Sequence, residues 1–246
     1  MFFGFNLNEI LTFPFKDQES RKHFLVGALV SISAFIIPIL PFFVLTGYAV
    51  QIAKQVMRGE SPRMVAWDDW GKLFSDGAKV FGIRLVLTSP ILIFAIPLMF
   101  VGLLVPVFMA NASPEEMETF MAIYSIFITA SVCIIFPVSI ALAVILPPAE
   151  MHVVDTGEFA AGFRVREWWA ILRANLGGFI AAFVIYYLTS MAVAFGVQLL
   201  MMSIIFACLL PIAMPAITIY SILIMYVTSA QAYRDGKAKL AETATA

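Results

Sequence analysis

Long stretches of this chain carry no ionisable side chain at all. Residues 85–114, 119–149 and 174–233 contain no Asp, Glu, Lys, Arg or His. A charge at the centre of a bilayer is costly and is kept where it is used, so this absence argues against ion coupling through a buried carboxylate relay and against an intramembrane metalloprotease. Histidine is scarce. His23 and His152 both belong at helix ends on one side of the membrane, which excludes a transmembrane pair of haems, and there is no Cys-x-x-Cys-His motif for covalent haem. One axial ligand to a porphyrin or chlorophyll is conceivable for either, but an ordinary interfacial histidine is the favoured reading. The two cysteines, Cys133 and Cys208, sit inside apolar runs and are expected to pack as small apolar residues. No concentrated basic surface is present, which excludes a nucleic-acid binder. The N-terminus lacks a basic n-region and a small-residue cleavage site, so the first helix is expected to stay in the mature protein.

What the chain has instead is apolar surface. Of its 246 residues 62% are hydrophobic, 23 of them Phe, and only 13% are charged. A water-soluble globule of this size cannot hide so much, so lipid must cover the rest. The expected fold class is all-α, a polytopic helical membrane protein. All 15 Lys and Arg fall in four clusters: Lys16 to Lys22, Lys54 to Arg84, Arg164 to Arg173 and Arg234 to Lys239. Because positive loops are retained in the cytoplasm, this pattern reports topology. The intervening loop Asn111 to Glu118 is acidic, with Glu115, Glu116 and Glu118.

Four segments meet the requirement of roughly 17–25 apolar residues for a span: about 85–110, 117–148, 176–203 and 207–233. The last two share one uncharged run, split at Pro211 and Pro215. A fifth run, His23 to Ala53, has two readings. As one tilted helix it places Lys16, Arg21 and Lys22 opposite every other cation. As a hairpin broken at Pro38 and Pro41 it makes all the cations cytoplasmic, and this is the preferred reading, because proline removes a backbone donor and disfavours helix before it. Its arms are short, so re-entrant helices fit as well as full crossings. A similar proline-led helix ending in Arg and Gly recurs at 210–236, a weak internal repeat for which duplication and coincidence stay equally open.

The expected organisation is one membrane domain over 1–246, with every cationic segment on the cytoplasmic side: an interfacial N-terminus 1–22, a broken hairpin 23–58, an interfacial helix 61–84, a hairpin 85–148, an interfacial helix 157–175, a hairpin 176–233 and a cytoplasmic tail 234–246. That makes six short-to-normal transmembrane helices in three hairpins. The interfacial helices are read from periodicity. In the first, Trp67, Trp70, Phe74 and Phe81 oppose Asp68, Asp69, Lys72, Asp76 and Lys79; in the second, Phe159, Phe163, Trp169 and Leu172 oppose Arg164, Glu167 and Arg173. All four tryptophans, Trp67, Trp70, Trp168 and Trp169, are therefore expected as headgroup-level anchors. A weaker amphipathic stretch, Phe5 to Phe15, offers Leu7, Ile10 and Leu11 to the same leaflet. Opposite, Ser113-Pro114-Glu115-Glu116 is a capping box at a helix start. Asn111-Ala112-Ser113 matches a glycosylation acceptor but lies in a short loop.

Candidate chemistry is thin. Glu150, His152, Asp155 and Glu158 could be taken for a metal cluster, yet their spacing does not share one helical face, and a solvated loop is expected. Asp68 and Asp69 could bind a cation or a partner's arginine. Polar residues within spans, Gln198, Asn175, Tyr186, Tyr187, Ser190, Tyr220, Ser221 and Tyr226, are candidates for lining a pocket or contacting a partner, or simply for interhelical hydrogen bonds. No cofactor, no metal and no enzymatic activity are expected.

Taken together, Phe13-Pro14-Phe15-Lys16-Asp17, Gly47-Tyr48, Arg58-Gly59-Glu60, Trp67-Asp68-Asp69-Trp70, Asp76-Gly77, Gly157-Glu158-Phe159 and Phe163-Arg164 resemble the prokaryotic integral membrane family catalogued as domain of unknown function 4013. The resemblance implies a compact all-helical membrane domain from a bacterium or archaeon. It brings no activity, substrate or catalytic residue. The expected role is a non-catalytic integral subunit of the cytoplasmic (inner) membrane, both termini cytoplasmic, accessory to or scaffolding a membrane complex, with the lipid bilayer and other membrane subunits as partners. The alternative is a small-molecule or lipid transporter or channel, whose sign would be a polar cavity at mid-membrane. An enzyme working at the headgroups through Asp68, Asp69 or Glu150 ranks last, since no nucleophile, base and orienting group converge.

Overall fold

The computed structural model describes residues 4–110, 112–202 and 208–245. Asn111, at the head of the acidic loop and of the glycosylation motif, lies outside the described residues, as do Met1 to Phe3 and the junction 203–207 between the last two apolar segments. The elements are α1 (Leu7–Thr12), α2 (Gln18–Ile32), α3 (Leu40–Met57), α4 (Trp70–Met109), α5 (Pro114–Thr156), α6 (Val165–Ala174), α7 (Leu176–Met201) and α8 (Leu210–Thr245), with 3-10 turns at Phe13–Phe15, Ser33–Phe35 and Phe159–Phe163. The fold is all-helical, with no strand among the described residues. Four helices, α4, α5, α7 and α8, are long and apolar enough to cross a membrane, which marks the chain as a membrane protein. Neither α2 nor α3 is among those four.

The chain divides into two compact units, one formed by Met1–Ile83 with Pro147–Ala246 and the other by Arg84–Leu146. In the larger unit α3 is the central helix: Leu45, Tyr48, Ala49, Val50, Ile52 and Ala53 are all buried. It packs on α8 and α2, and α7 and α6 pack on α8. The first apolar run is broken where the prolines require: α2 ends at Ile32, and Ile39, with φ 77°, precedes α3, which has Pro41 in its first turn. At the other end of this region Asp17 caps α2, accepting the Ser20 amide at 2.7 Å. That amide holds the Asp17 carboxyl below the usual carboxylate range. The Phe13–Phe15 turn is the reason α1 and α2 are separate helices, since Pro14 is buried inside it.

Several local expectations are corrected here. Residues 60–69 are not helical, and α4 begins only at Trp70. The Tyr48 hydroxyl occupies both backbone groups of Val65, at 2.8 and 3.0 Å, so that stretch cannot close helical hydrogen bonds. The stretch Glu150 to Asp155, expected as a solvated loop, is the last part of α5, with Glu150 and His152 buried. Residues 234–245 are helical and continue α8, with Gly236 buried and 237–243 exposed. Pro215 lies inside α8 rather than splitting it; a membrane helix tolerates this. Ile10 of α1 is buried in protein rather than in lipid. Cys133 and Cys208 are free and lie at the protein surface within apolar stretches of the chain.

The smaller unit comprises the apolar parts of α4 and α5. Pro90, Pro97 and Pro106 sit inside α4, and near the first of them Thr88 and Ser89 donate to the carbonyls of Arg84 and Val86, both at 2.7 Å. Phe108 and Phe120 bring the two helices into ring contact at 4.4 Å. The most apolar windows of α4 and α5 are 0% and 6% buried within the protein. At the start of α5 the capping box forms: Ser113 N–H donates to Glu116 Oε2 at 2.8 Å, and the Glu116 amide reaches Ser113 Oγ at 3.4 Å.

Candidate functional site

Many polar side chains of the larger unit form links between its helices. Gly47 and Gly77 come first, because they let α3 and α4 touch backbone to backbone. A Cβ on Gly47 would lie 1.7 Å from the Leu73 carbonyl oxygen, and one on Gly77 1.7 Å from that of Phe43. That close approach sets Tyr48 flat on Trp67, ring centroids 3.9 Å apart, while the Trp67 indole N–H donates to the His23 carbonyl at 3.0 Å. One turn along, Asp76 accepts from Lys54 at 2.8 Å and from Gln51 at 3.0 Å. Gly59, at φ 82°, turns the chain out of α3. Beside it the Arg58 side chain donates to Glu60 at 2.7 Å and holds that carboxyl below its ordinary value.

A second set of links joins α5, α6 and α8. His152 Nδ1 lies 2.7 Å from the Tyr233 hydroxyl, and Nε2 lies 2.9 Å from Glu167 Oε2. Asp155 accepts from Lys237 at 2.7 Å. Arg164 pairs with Glu158. Asn175 is buried; its amide nitrogen donates to the Ala232 carbonyl at 2.9 Å, and its oxygen accepts from Lys239 at 2.7 Å. Arg234 reaches the Val56 carbonyl at 3.3 Å and so ties the end of α3 to α8. Both ring nitrogens of His152 are thus engaged by protein groups. Among the described residues no three His, Cys, Asp or Glu side chains converge on a metal-sized point.

The sequence-predicted residues divide between these links and the surface. Trp67 and Trp168 are buried, and Trp168 donates to the Gly162 carbonyl at 3.0 Å; Trp70 and Trp169 are exposed. The second amphipathic face is also out of phase with expectation. Phe159 and Phe163 belong to a separate 3-10 turn, so the helical register restarts at Val165, and the buried face of α6 is Trp168, Ile171 and Leu172. Asp69 caps α4 by accepting the Lys72 amide at 3.0 Å. Asp68 and Asp69 share a hollow of about 280 Å³ with Gln51, Gln55, Arg58 and Lys72. Gln198 is exposed and Tyr186 half-buried on α7. Tyr220 donates to the Leu11 carbonyl at 3.1 Å and lines a cleft of about 560 Å³ with Leu7, Leu11, Leu188, Thr189 and Val193. Sequence reading missed Tyr48, Asp76, Tyr233 and Lys239 as linking residues. For Gln51 and Lys54 the signal was there: two polar residues three apart on a largely apolar helix.

No curated protein and no solved structure matches the chain. The family described as protein of unknown function, DUF4013, matches residues 30–202. The match takes in Gly47-Tyr48, Trp67 to Trp70, Asp76-Gly77 and Gly157 to Arg164, whose roles in these links are now explicit; Phe13 to Asp17 precede it. On this match over most of its length, the chain belongs to the DUF4013 family.

Proposed function

We propose that this protein is a non-catalytic integral membrane subunit that accompanies or scaffolds a larger membrane complex. The observation that carries the reading is where the polar side chains of the larger unit direct their hydrogen bonds: the buried His152, Asn175, Tyr48 and Trp67 and the partly buried Asp76 all bond to groups of the same chain. A site for chemistry leaves such groups open to a substrate; here they fix helices to one another. The apolar windows of α4 and α5, 0% and 6% buried, are covered by lipid and by helices of partner subunits.

In this reading the protein lies in the cytoplasmic (inner) membrane with both termini cytoplasmic, as three hairpins, α2 with α3, α4 with α5, and α7 with α8, the first pair being short. Two contacts support the doubling back of the first pair. The start of α2 meets Trp67 through the His23 carbonyl, and the end of α3 meets Arg234 through the Val56 carbonyl.

The test is extraction into native nanodiscs followed by native mass spectrometry. The expected result is a membrane polypeptide bound in fixed stoichiometry, whose own abundance falls when this chain is deleted and recovers on complementation. Recovery of the chain alone, with every membrane complex unchanged by its deletion, would overturn the reading. A lipid-handling protein is the second reading, favoured by the cleft of about 560 Å³, which is lined almost wholly by apolar side chains and so fits an acyl chain better than a polar solute.

A further inference from the structure

The outer face of α6 carries Arg166, Trp169 and Arg173, which fall on one side of the helix at spacings of three and four. Against them α8 sets Lys239, Leu240 and Thr243, and the two helices enclose a groove of about 500 Å³. Three cations line it and no carboxylate does. Lys239 donates to Asn175, whereas Arg166 and Arg173 have no ion pair among the described residues. At its end the groove runs into a second hollow of about 690 Å³, which shares Arg173, Ala174 and Lys239 and adds Leu176. Two carboxylates stand there, Asp235, already paired with Arg234 at 2.8 Å, and Glu242, so positive charge is in excess over the two hollows together.

From Leu176 onward the surface turns apolar. Leu176, Ile180, Phe183 and Tyr187 recur on one face of α7 at steps of four, three and four, and all are exposed. Phe183 and Tyr187 stack at 5.8 Å along that stripe. A cationic groove with an aromatic ring at its edge thus opens directly onto an outward-facing apolar stripe of a helix long enough to span a bilayer. Free phosphate has no use for the stripe, and a bare acyl chain has none for the arginines.

We propose that this groove is a specific site for an anionic phospholipid. Arg166, Arg173 and Lys239 hold the phosphate-bearing headgroup, Trp169 lies at the glycerol level, and the acyl chains follow Leu176, Ile180 and Phe183 along α7. Planar arginine suits this role because its forked donors match phosphate oxygens. The site stands apart from the subunit role and does not depend on it.

The test is native mass spectrometry and thermal unfolding of the delipidated full chain in detergent, with phosphatidylglycerol, phosphatidylcholine or inorganic phosphate added. Phosphatidylglycerol is expected to bind about tenfold or more tightly than phosphatidylcholine, the order that two or three interfacial cations give. Inorganic phosphate at the same concentration is expected to leave the melting temperature unchanged. The double substitution Arg166→Gln with Arg173→Gln should abolish the preference, while Arg63→Gln with Lys72→Gln, which removes equal charge elsewhere, should keep it. Equal retention of the two lipids by the unsubstituted chain would overturn the site, and this comparison needs no variant to fold. So would stabilisation by phosphate equal to that by phosphatidylglycerol, or a preference that survives the arginine substitutions.

Discussion

Gly47 and Gly77 decide how closely α3 and α4 approach, and through that distance they decide the fate of every link built across the pair. Because a Cβ at position 47 would fall 1.7 Å from the Leu73 carbonyl oxygen, Gly47→Ala must push two backbones apart; no side-chain rotamer relieves it. Overpacking of this kind costs about 1–3 kcal/mol. The Tyr48–Trp67 stack and the Lys54–Asp76 pair should loosen with it. We expect the melting temperature of the detergent-solubilised chain to fall clearly for Gly47→Ala, and to change little for Gly177→Ala, whose Cβ would meet nothing within 4 Å. Equal melting temperatures for the two variants would remove the close approach as a determinant of stability. The sequence displayed Gly47-Tyr48 and Asp76-Gly77 as recognisable pairs but not their reason, which is a contact across about thirty residues of chain. Trp67 and Trp70 show the same blindness: three apart, they read as one helical face, yet Tyr48 captures the backbone of Val65 and turns Trp67 inward while Trp70 stays out.

Helix ends illustrate which elements local sequence can specify. The start of α5 was legible because every partner in it lies within four residues: Ser113 and Glu116 satisfy each other, and the Met117 amide closes the first turn on the Ser113 carbonyl at 2.9 Å. The end of α5 was not. Pro147-Pro148 followed by charges reads as a loop, and the stretch is helical and buried because His152 and Asp155 meet Tyr233 and Lys237 about eighty residues later. The α6 register was missed for a related reason, since nothing local announces that Phe159–Phe163 stops before the helix begins. The capping box also carries a pH dependence. The Ser113 hydroxyl, and then its amide, hold the Glu116 carboxyl below its ordinary value of 4.5. Since the folded value is the lower one, the contribution is complete above the ordinary value and is lost as pH falls through the folded value. Hydrogen-exchange protection of the first-turn amides of α5 is therefore expected to drop over the acid range below that ordinary value. With Glu116→Gln it should be weaker at neutral pH and flat across that range. Unchanged protection in the acid would show that the box does not hold this turn.

At the scale of the whole molecule, the apolar runs and the clustering of the cations along the chain were readable because they are properties of the sequence itself, whereas the pairing that buries α3 is a property of contacts between distant segments. One question joins the two. If the first apolar run crossed only once, the N-terminal segment would stand on the opposite side from the last cationic cluster. The contacts of the larger unit argue otherwise: Gln231, three residues before Arg234, donates to the Gly4 carbonyl at 3.0 Å, and Tyr220 reaches Leu11 of α1. The N-terminal segment therefore runs beside α8, and under the proposed topology its start and the charged end of α8 are both expected on the cytoplasmic side. The check is labelling of single cysteines in intact cells by a membrane-impermeant maleimide, with Cys133 and Cys208 replaced by Ala. Glu115→Cys, at the exposed start of α5, should label from outside. Asn8→Cys and Ala241→Cys, both exposed on the protein surface, should label only after permeabilisation. Labelling of position 8 but not position 241 in intact cells would show that the run broken at Pro38 and Pro41 passes through once, and would place α1 away from the helix it packs against here.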